Sequence, residues 1–255
     1  MASCRAVETA INNAIESGQT ALIPFFTAGY PCLDKFTSDL IAISEVGDVV
    51  EIGIPFSDPM ADGMTIQRSS HQALQNGVNL KWIFNQIESV SEKIQAPLVM
   101  MSYLNPLLAF GYEALAKRAK SVGVGCFIVP DLPLEESHDL RTALEGMDLG
   151  LIQLITPATP KQRMIELCAA SRGFIYAVTM TGITGSEQGL APNLKNYLDQ
   201  ITALSKIPVC AGFGVRSAED VKMIGCHASG AIVGSALVEA MESESDYVGF
   251  LEQLR

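Results

Sequence analysis

The stretch EIGIPFSDPMADGMTIQ, residues 51–67, joins a short apolar segment to a loop rich in Pro, Gly and Ser, and it carries three acidic side chains. Val49 and Val50 precede it, so residues 49–54 predict a buried strand that contains Glu51. A carboxylate inside such a strand is costly unless it is paired or used chemically. Because no Lys or Arg lies within ten residues of Glu51 on either side, a local ion pair explains it poorly.

Similar apolar segments recur along the chain, and each is followed by a stretch with helical periodicity. The eight predicted strands are residues 21–26, 49–54, 98–103, 126–129, 151–155, 174–178, 208–211 and 231–233. This alternation favours a single (β/α)8 TIM barrel over residues 1–255. A doubly wound sheet usually has fewer strands and a Gly-rich turn after its first one, where this chain has TAGYP instead.

The N-terminal stretch MASCRAVETAINNAIESGQ predicts an extra amphipathic helix before the barrel. Val7, Ile11 and Ile15 recur in it at four-residue intervals among polar residues. It lacks the apolar core of a signal peptide, and no apolar run in the chain approaches the ~18 residues of a membrane span. We therefore expect a cytoplasmic protein.

Composition and charge limit the function classes. The chain is 48% hydrophobic and 18% charged, as is typical of a globular protein with a sizeable core. Seventeen Lys and Arg against 28 Asp and Glu give a formal net charge of −11, which disfavours nucleic acid and anionic membranes as partners. An anionic small substrate remains compatible with this charge if a local site attracts it.

The cysteines and histidines predict neither a disulfide framework nor a metal site. The six cysteines include no C-x-x-C pair, and Cys126 and Cys210 lie in apolar runs, which predicts buried free thiols. The histidines His71, His138 and His227 show no H-x-H or H-E-x-x-H spacing.

The connection between the second and third predicted strands is the longest, and it contains Asp58 and Asp62. Barrel enzymes place their active sites on the loops that follow strands. Asp58 lies in Ser-Asp-Pro, an ordinary turn sequence, so turn capping explains it well. Glu51 would face the ligand mouth, where burial raises a carboxyl pKa toward the working pH. We predict that Glu51 transfers protons and that Asp62 is a second carboxylate across the same mouth.

Three glycine-containing motifs follow the sixth, seventh and eighth predicted strands. They are TGITG at residues 181–185, GFG at 212–214 and GSA at 234–236. Loops after the seventh and eighth strands of this fold commonly hold phosphate, because glycine lets backbone N–H groups approach an oxyanion. Each motif is weak alone, but their order predicts a phosphate site built from neutral amides and a helix dipole.

The motifs EIGIPFSDPMADGMTIQ, PFFTAG, YLNPLLAFG, VPDLPLEES, TGITG, AGFGV and GAIVGSALV together resemble those of the tryptophan synthase α subunit family, over essentially the whole chain. The resemblance implies a cofactor-free retro-aldol cleavage of indole-3-glycerol phosphate to indole and glyceraldehyde 3-phosphate in tryptophan biosynthesis. It implies that Glu51 is the general acid/base and that Asp62 receives the indole N–H.

The resemblance also implies binding roles for other residues. Thr184 would orient Asp62 when the loops close. The implied phosphate-binding residues are Gly185, Gly214, Gly234 and Ser235. The implied indole-pocket residues are Phe25, Tyr176 and Phe213, although core packing explains each aromatic residue equally well.

A partner is implied as well. The family α subunit pairs with a β subunit in an α2β2 complex, and the β subunit uses pyridoxal phosphate to join indole to serine. The segments that resemble the partner-facing surface contain Asp58, Pro59, Asn105 and Pro133. No Lys in this chain has a context that suggests pyridoxal phosphate of its own, so the partner would hold it.

The chain departs from the family pattern at three positions. Met64 stands where Pro is usual, Tyr30 where Asp is often found, and Met180 where Arg is common. Met64 leaves the loop of Asp62 less preorganised, and a misplacement of about 1 Å can cost ~100-fold in rate. Two functions therefore stay open, a working lyase and a catalytically impaired α subunit that acts mainly as an allosteric activator of β. Retention of Glu51 and Asp62 favours the lyase. Another phosphate-binding barrel, such as an isomerase, is disfavoured by the motifs around the first two strands.

Overall fold

The structure, a computed structural model, describes residues 3–179, 194–212, 214–243 and 245–255. Within these residues eight parallel strands form a closed barrel in chain order, with the last strand paired to the first. The strands are β1 Ala21–Thr27, β2 Val50–Gly53, β3 Leu98–Met101, β4 Val124–Ile128, β5 Gly150–Ile155, β6 Ile175–Val178, β7 Val209–Gly212 and β8 Gly230–Val233. The predicted (β/α)8 barrel is confirmed, and the predicted strand ends differ from these by at most two residues.

Helices connect the strands on the outside of the barrel. Those in the described residues are α1 Cys4–Glu16, α2 Phe36–Val46, α3 Met64–Gln75, α4 Leu80–Val90, α5 Leu104–Phe110, α6 Tyr112–Val122, α7 His138–Glu145, α8 Lys161–Ala170, α9 Leu194–Leu204, α10 Ala218–Gly225, α11 Ser235–Glu242 and α12 Tyr247–Gln253. The connection from β2 to β3 is long because it holds both α3 and α4.

The predicted N-terminal helix is confirmed as α1, which lies across the amino-terminal end of the barrel. The Ser3 hydroxyl caps it by accepting a hydrogen bond from the Ala6 N–H. Val7 and Ile11 are fully buried, but Ile15 is 43% exposed and Ala14 is buried in its place. A strict four-residue spacing drifts around a helix of 3.6 residues per turn, so the third position of the pattern leaves the buried face.

Apolar side chains form two layers. The outer layer lies between strands and helices and includes Val50 and Ile52 of β2. The inner layer fills the barrel and continues into α1; it includes Ile23, Val49, Val99, Cys126, Ile152, Phe174 and Ile232. Because side chains alternate along a strand, Glu51 faces the barrel interior between Val49 below it and Gly53 above it. The apolar layers beneath Glu51 supply burial energy at about 25 cal/mol per Å², which offsets the cost of one buried carboxyl group.

All six cysteines are free, and Cys126 and Cys210 are buried as predicted. In the part of the chain that the structure describes, no helix is long and apolar enough to cross a membrane. The same residues contain no cluster of three or more His, Cys, Asp or Glu that could hold a metal ion.

Candidate active site

Glu51 lies in the upper part of the barrel interior, where β2 pairs with its neighbours. Its backbone is in register with Phe25 of β1 and Val99 of β3. The side chain is fully buried, and neither carboxyl oxygen has a hydrogen-bond partner among the described residues. Burial, together with the negative charge of Asp62, raises the pKa of Glu51 to about 8. A buried, unpaired acid of this kind is mostly protonated at neutral pH and marks a functional site.

Asp62 lies in the loop between β2 and α3, and Tyr103 fixes its side chain. The Tyr103 hydroxyl donates a hydrogen bond of 3.1 Å to Asp62 Oδ2 and accepts one of 2.8 Å from the Ala61 N–H. Burial raises the pKa of Asp62 to about 6, although the hydrogen bond from Tyr103 acts in the opposite direction. The effect of Asp62 on the pKa of Glu51 shows that the structure brings the two predicted carboxylates together.

The loop that carries Asp62 is built on the aromatic ring of Tyr103. The ring of Phe56 stacks on it at a centroid distance of 5.0 Å. The Asp62 N–H donates to the Pro59 carbonyl at 3.1 Å, and the Gln67 side-chain amide donates to the Asp62 carbonyl at 2.8 Å. The carboxyl groups of Glu51 and Asp62 therefore face the same space. Glu51 reaches it from β2, and Asp62 reaches it from a loop that is held by Tyr103 at the end of β3.

Phe25 and Tyr176, the two predicted indole-pocket residues that are described, are buried in the same upper layer. A Cβ atom at Gly53 would lie 2.5 Å from Phe25 Cζ, and one at Gly212 would lie 2.4 Å from the Tyr176 hydroxyl. Only glycine therefore fits beside each ring. Burial raises the pKa of Tyr176 well above its usual value, with further contributions from Glu51 and Asp62. These placements suit both core packing and pocket lining, so their role in ligand binding stays a prediction.

The predicted phosphate-binding residues Gly214, Gly234 and Ser235 follow β7 and β8, which are adjacent strands. Gly214 has φ of +88°, which favours glycine. Gly234 is the N-cap of α11 and makes no side-chain cap, so the first N–H groups of that helix stay available for a ligand. A Cβ atom at Gly234 would lie 3.5 Å from Phe25 Cδ1, and Phe25 is in register with Glu51. The glycine turns and Glu51 thus lie around one mouth.

Four of the predicted positions lie outside the described residues: Met180, Thr184, Gly185 and Phe213. The predicted interface residues are described, and they follow β2, β3 and β4 at the same end of the barrel. Asp58, Asn105 and Pro133 are exposed and Pro59 is half-buried. Met60 is 85% exposed and Leu108 is 51% exposed nearby in sequence, which adds apolar surface to this end.

Sequence reasoning missed one feature of the site and one feature of the helices around it. Tyr103 opens the motif YLNPLLAFG at the end of a predicted strand, and an aromatic hydroxyl at that position was the available signal. The second feature is a set of polar contacts between α3 and α11 that includes Thr65, Glu239 and the ion pair of Arg68 with Glu242. Tyr30, which departs from the family pattern, is buried, and burial raises the pKa of its hydroxyl, with further contributions from the Glu242 and Arg68 side chains that oppose each other.

A closed (β/α)8 barrel with ionisable groups of raised pKa at the carboxyl ends of its strands has the features of a TIM-barrel enzyme. Comparison with known proteins makes the class specific. The chain belongs to the tryptophan synthase alpha chain family, whose model matches residues 11–250. This membership supports a lyase role in tryptophan biosynthesis.

Individual relatives agree with the family match. The tryptophan synthase alpha chain of Bacillus cereus is 41% identical over 235 residues, which cover 92% of this chain and 91% of the relative. A structure of Mycobacterium tuberculosis tryptophan synthase in space group F222 has a TM-score of 0.89 at 34% identity and covers 100% of this chain and 97% of the matched chain. The alpha subunit of Legionella pneumophila has a TM-score of 0.86 at 30% identity, over 98% and 95% of the two chains.

Proposed function

We propose that the chain cleaves indole-3-glycerol phosphate to indole and glyceraldehyde 3-phosphate by a retro-aldol reaction that needs no cofactor of its own. The observation that carries the proposal is Glu51, fully buried without a hydrogen-bond partner among the described residues, in the same mouth as Asp62. Family membership supports the choice of substrate. Nothing in the described residues or in the relatives favours an impaired activator over a working lyase.

The chemistry needs two carboxyl groups in different ionisation states. Expulsion of indole C3 as a carbanion is unfavourable, so the ring is first protonated at C3, which creates an iminium-like electron sink. A pKa of about 8 keeps Glu51 protonated at neutral pH, so it can donate that proton. Glu51 then accepts the proton of the adjacent side-chain hydroxyl, whose loss drives cleavage of the carbon–carbon bond.

Asp62 acts on the nitrogen of the ring. With a pKa of about 6 it is mostly ionised at neutral pH, so its carboxylate stabilises the positive charge that develops at the indole N–H. Because Glu51 is protonated and Asp62 is ionised, Glu51 is the proton donor and Asp62 stabilises the positive charge. The backbone amides at Gly214, Gly234 and Ser235 would hold the phosphate, helped by the dipole of α11.

The proposed partner is a β subunit that holds pyridoxal phosphate and uses the indole, in an α2β2 complex in the cytoplasm. The exposed residues Asp58, Asn105 and Pro133, with half-buried Pro59, would face it. Exposed Met60 and Leu108 supply apolar area of the kind that interface centres bury.

The test is a single-turnover assay of indole release on the purified chain, with and without a β subunit. We expect indole in both cases and faster release with the partner, because loop closure excludes water from the site. Absence of indole in both cases would refute the lyase. Stimulation of indole-plus-serine synthesis without any cleavage would establish the activator instead.

Replacement of Tyr103 by Phe should reduce cleavage about tenfold, because the loop loses its anchor and Asp62 loses a hydrogen bond that lowers its pKa. The acidic limb of the kcat/KM profile should move to higher pH. Tyr112→Phe on α6 is the matched control, since that half-buried tyrosine packs against the outer apolar layer. Equal activity and equal pH profiles for the two variants would contradict the role given to Tyr103.

A further inference from the structure

Glu239 on α11 joins three segments that surround the mouth. Its Oε1 accepts a hydrogen bond of 2.9 Å from the Thr65 hydroxyl, and its Oε2 accepts one of 2.9 Å from Arg216 Nη1. Thr65 is the second residue of α3 and follows Asp62 by three residues. Arg216 follows Gly214 by two residues, and Glu239 itself lies one turn after Ser235, the first residue of α11. One carboxylate thus links the Asp62 loop, the turn after β7 and the helix after β8.

The carboxylate is charged when it makes these contacts. The hydrogen bonds from Arg216 and Thr65 lower the pKa of Glu239, against a smaller opposing effect of burial. Arg216 places a positive charge against it, so Glu239 does not add an uncompensated negative charge beside the proposed phosphate site. A partly exposed ion pair contributes little to the free energy of unfolding, so its importance lies in placement.

The start of α3 has no capping side chain, and Thr65 joins it to α11. Its N-cap, Gly63, makes no side-chain hydrogen bond, and the first helical residue, Met64, is 71% exposed. Helix starts are usually fixed by a capping side chain or by a proline at the first position. The Thr65 hydroxyl bond to Glu239 ties this otherwise uncapped end to α11.

We propose that Glu239 is a positioning residue that holds the Asp62 loop, through Thr65, at a fixed place relative to the glycine turns after β7 and β8. This role rests on the proposed function, in which the glycine turns bind the phosphate of indole-3-glycerol phosphate and Asp62 contacts the indole ring of the same molecule. Glu239 touches neither. It sets the distance between the two binding regions, and a shift of about 1 Å in a catalytic group can change a rate by ~100-fold.

The chain offers a matched control in Glu242. Glu239 and Glu242 both lie on α11, and both side chains are 38% exposed. Glu242 pairs with Arg68, so it also ties α11 to α3, but one turn further from Asp62. Glu239→Ala should lower kcat about tenfold, whereas Glu242→Ala should change it less than about twofold. Thr65→Val should lower kcat like Glu239→Ala, with an unchanged KM, and Thr65→Ser should restore it because it keeps the hydroxyl.

A second readout separates this proposal from the proposed function. Amide hydrogen exchange of residues 60–66 should speed up in Glu239→Ala and Thr65→Val but not in Glu242→Ala or Thr65→Ser. Failure of the proposed function appears as absence of indole release by the wild-type chain. The positioning role is overturned if Glu239→Ala and Glu242→Ala lower kcat by the same factor. It is also overturned if the two variants show equal amide hydrogen exchange at residues 60–66.

Discussion

Glu51→Gln should lower the rate of indole-3-glycerol phosphate cleavage by about 10³-fold, while substrate binding and folding should be retained. The carboxamide has nearly the same shape but cannot donate and then recover a proton, and general acid–base catalysis contributes typically 10²–10⁴-fold. The side chain is fully buried and unpaired, so the substitution breaks no hydrogen bond among the described residues. Single-turnover indole release measures the rate, and equilibrium binding of the product glyceraldehyde 3-phosphate measures the phosphate site.

The same substitution should change how stability depends on pH. The pKa of Glu51 is raised from 4.5 to about 8 in the folded state, mainly by burial. The folded chain therefore holds a proton that the unfolded chain loses above pH 4.5, and the free energy of unfolding falls as the pH rises toward about 8. Glu51→Gln removes this loss, so it should stabilise the chain by a few kcal/mol at pH 8 and not below pH 4.5.

Denaturant unfolding at pH 4.5 and pH 8 tests this dependence. Glu45→Gln is the matched control, because Glu45 is exposed on α2 and should change neither stability nor cleavage. Unaltered turnover in Glu51→Gln would show that another group transfers the proton.

Asp62→Asn should lower cleavage about 100-fold, because the negative charge proposed to stabilise the indole nitrogen is lost while the side chain keeps its size. The pH profile identifies the cause. With a pKa of about 6 for Asp62 and about 8 for Glu51, wild-type kcat/KM should rise through pH 6 as Asp62 ionises and fall through pH 8 as Glu51 loses its proton. In Asp62→Asn the rise through pH 6 should disappear. The fall should move to lower pH, because the charge of Asp62 helps to raise the pKa of Glu51.

The control for Asp62→Asn is Asp34→Asn, an exposed aspartate in the connection after β1. It should leave the profile unchanged. If the rise through pH 6 persists in Asp62→Asn, the acidic limb belongs to a different group, and the role proposed for Asp62 is wrong.

The strands and the orientation of Glu51 could be predicted because both are local properties of the sequence. A short apolar run bounded by turn residues is typical of a buried strand, and alternation then places Glu51 inside the barrel. The exposure of Ile15 shows the limit of the same reasoning, since a spacing of four does not stay on one face of α1.

The supports of the site could not be predicted because they join residues that are distant in the chain. Tyr103 and Asp62 are 41 residues apart, and Thr65 and Glu239 are 174 apart. No spacing rule connects such pairs before the barrel closes. The roles of Thr184, Gly185 and Phe213 also stay predictions, since these residues lie outside the described part of the chain.

Helix α1, which lies across the amino-terminal end of the barrel, limits the paths by which a ligand can reach or leave the site. Val7 and Ile11 are fully buried there in the inner apolar layer, so among the described residues this end of the barrel is filled by side chains. With the proposed function, the substrate and both products would use the opposite opening, where Asp58, Asn105 and Pro133 are exposed. A subunit seated over that opening would receive indole directly, without a passage through the wall of the barrel.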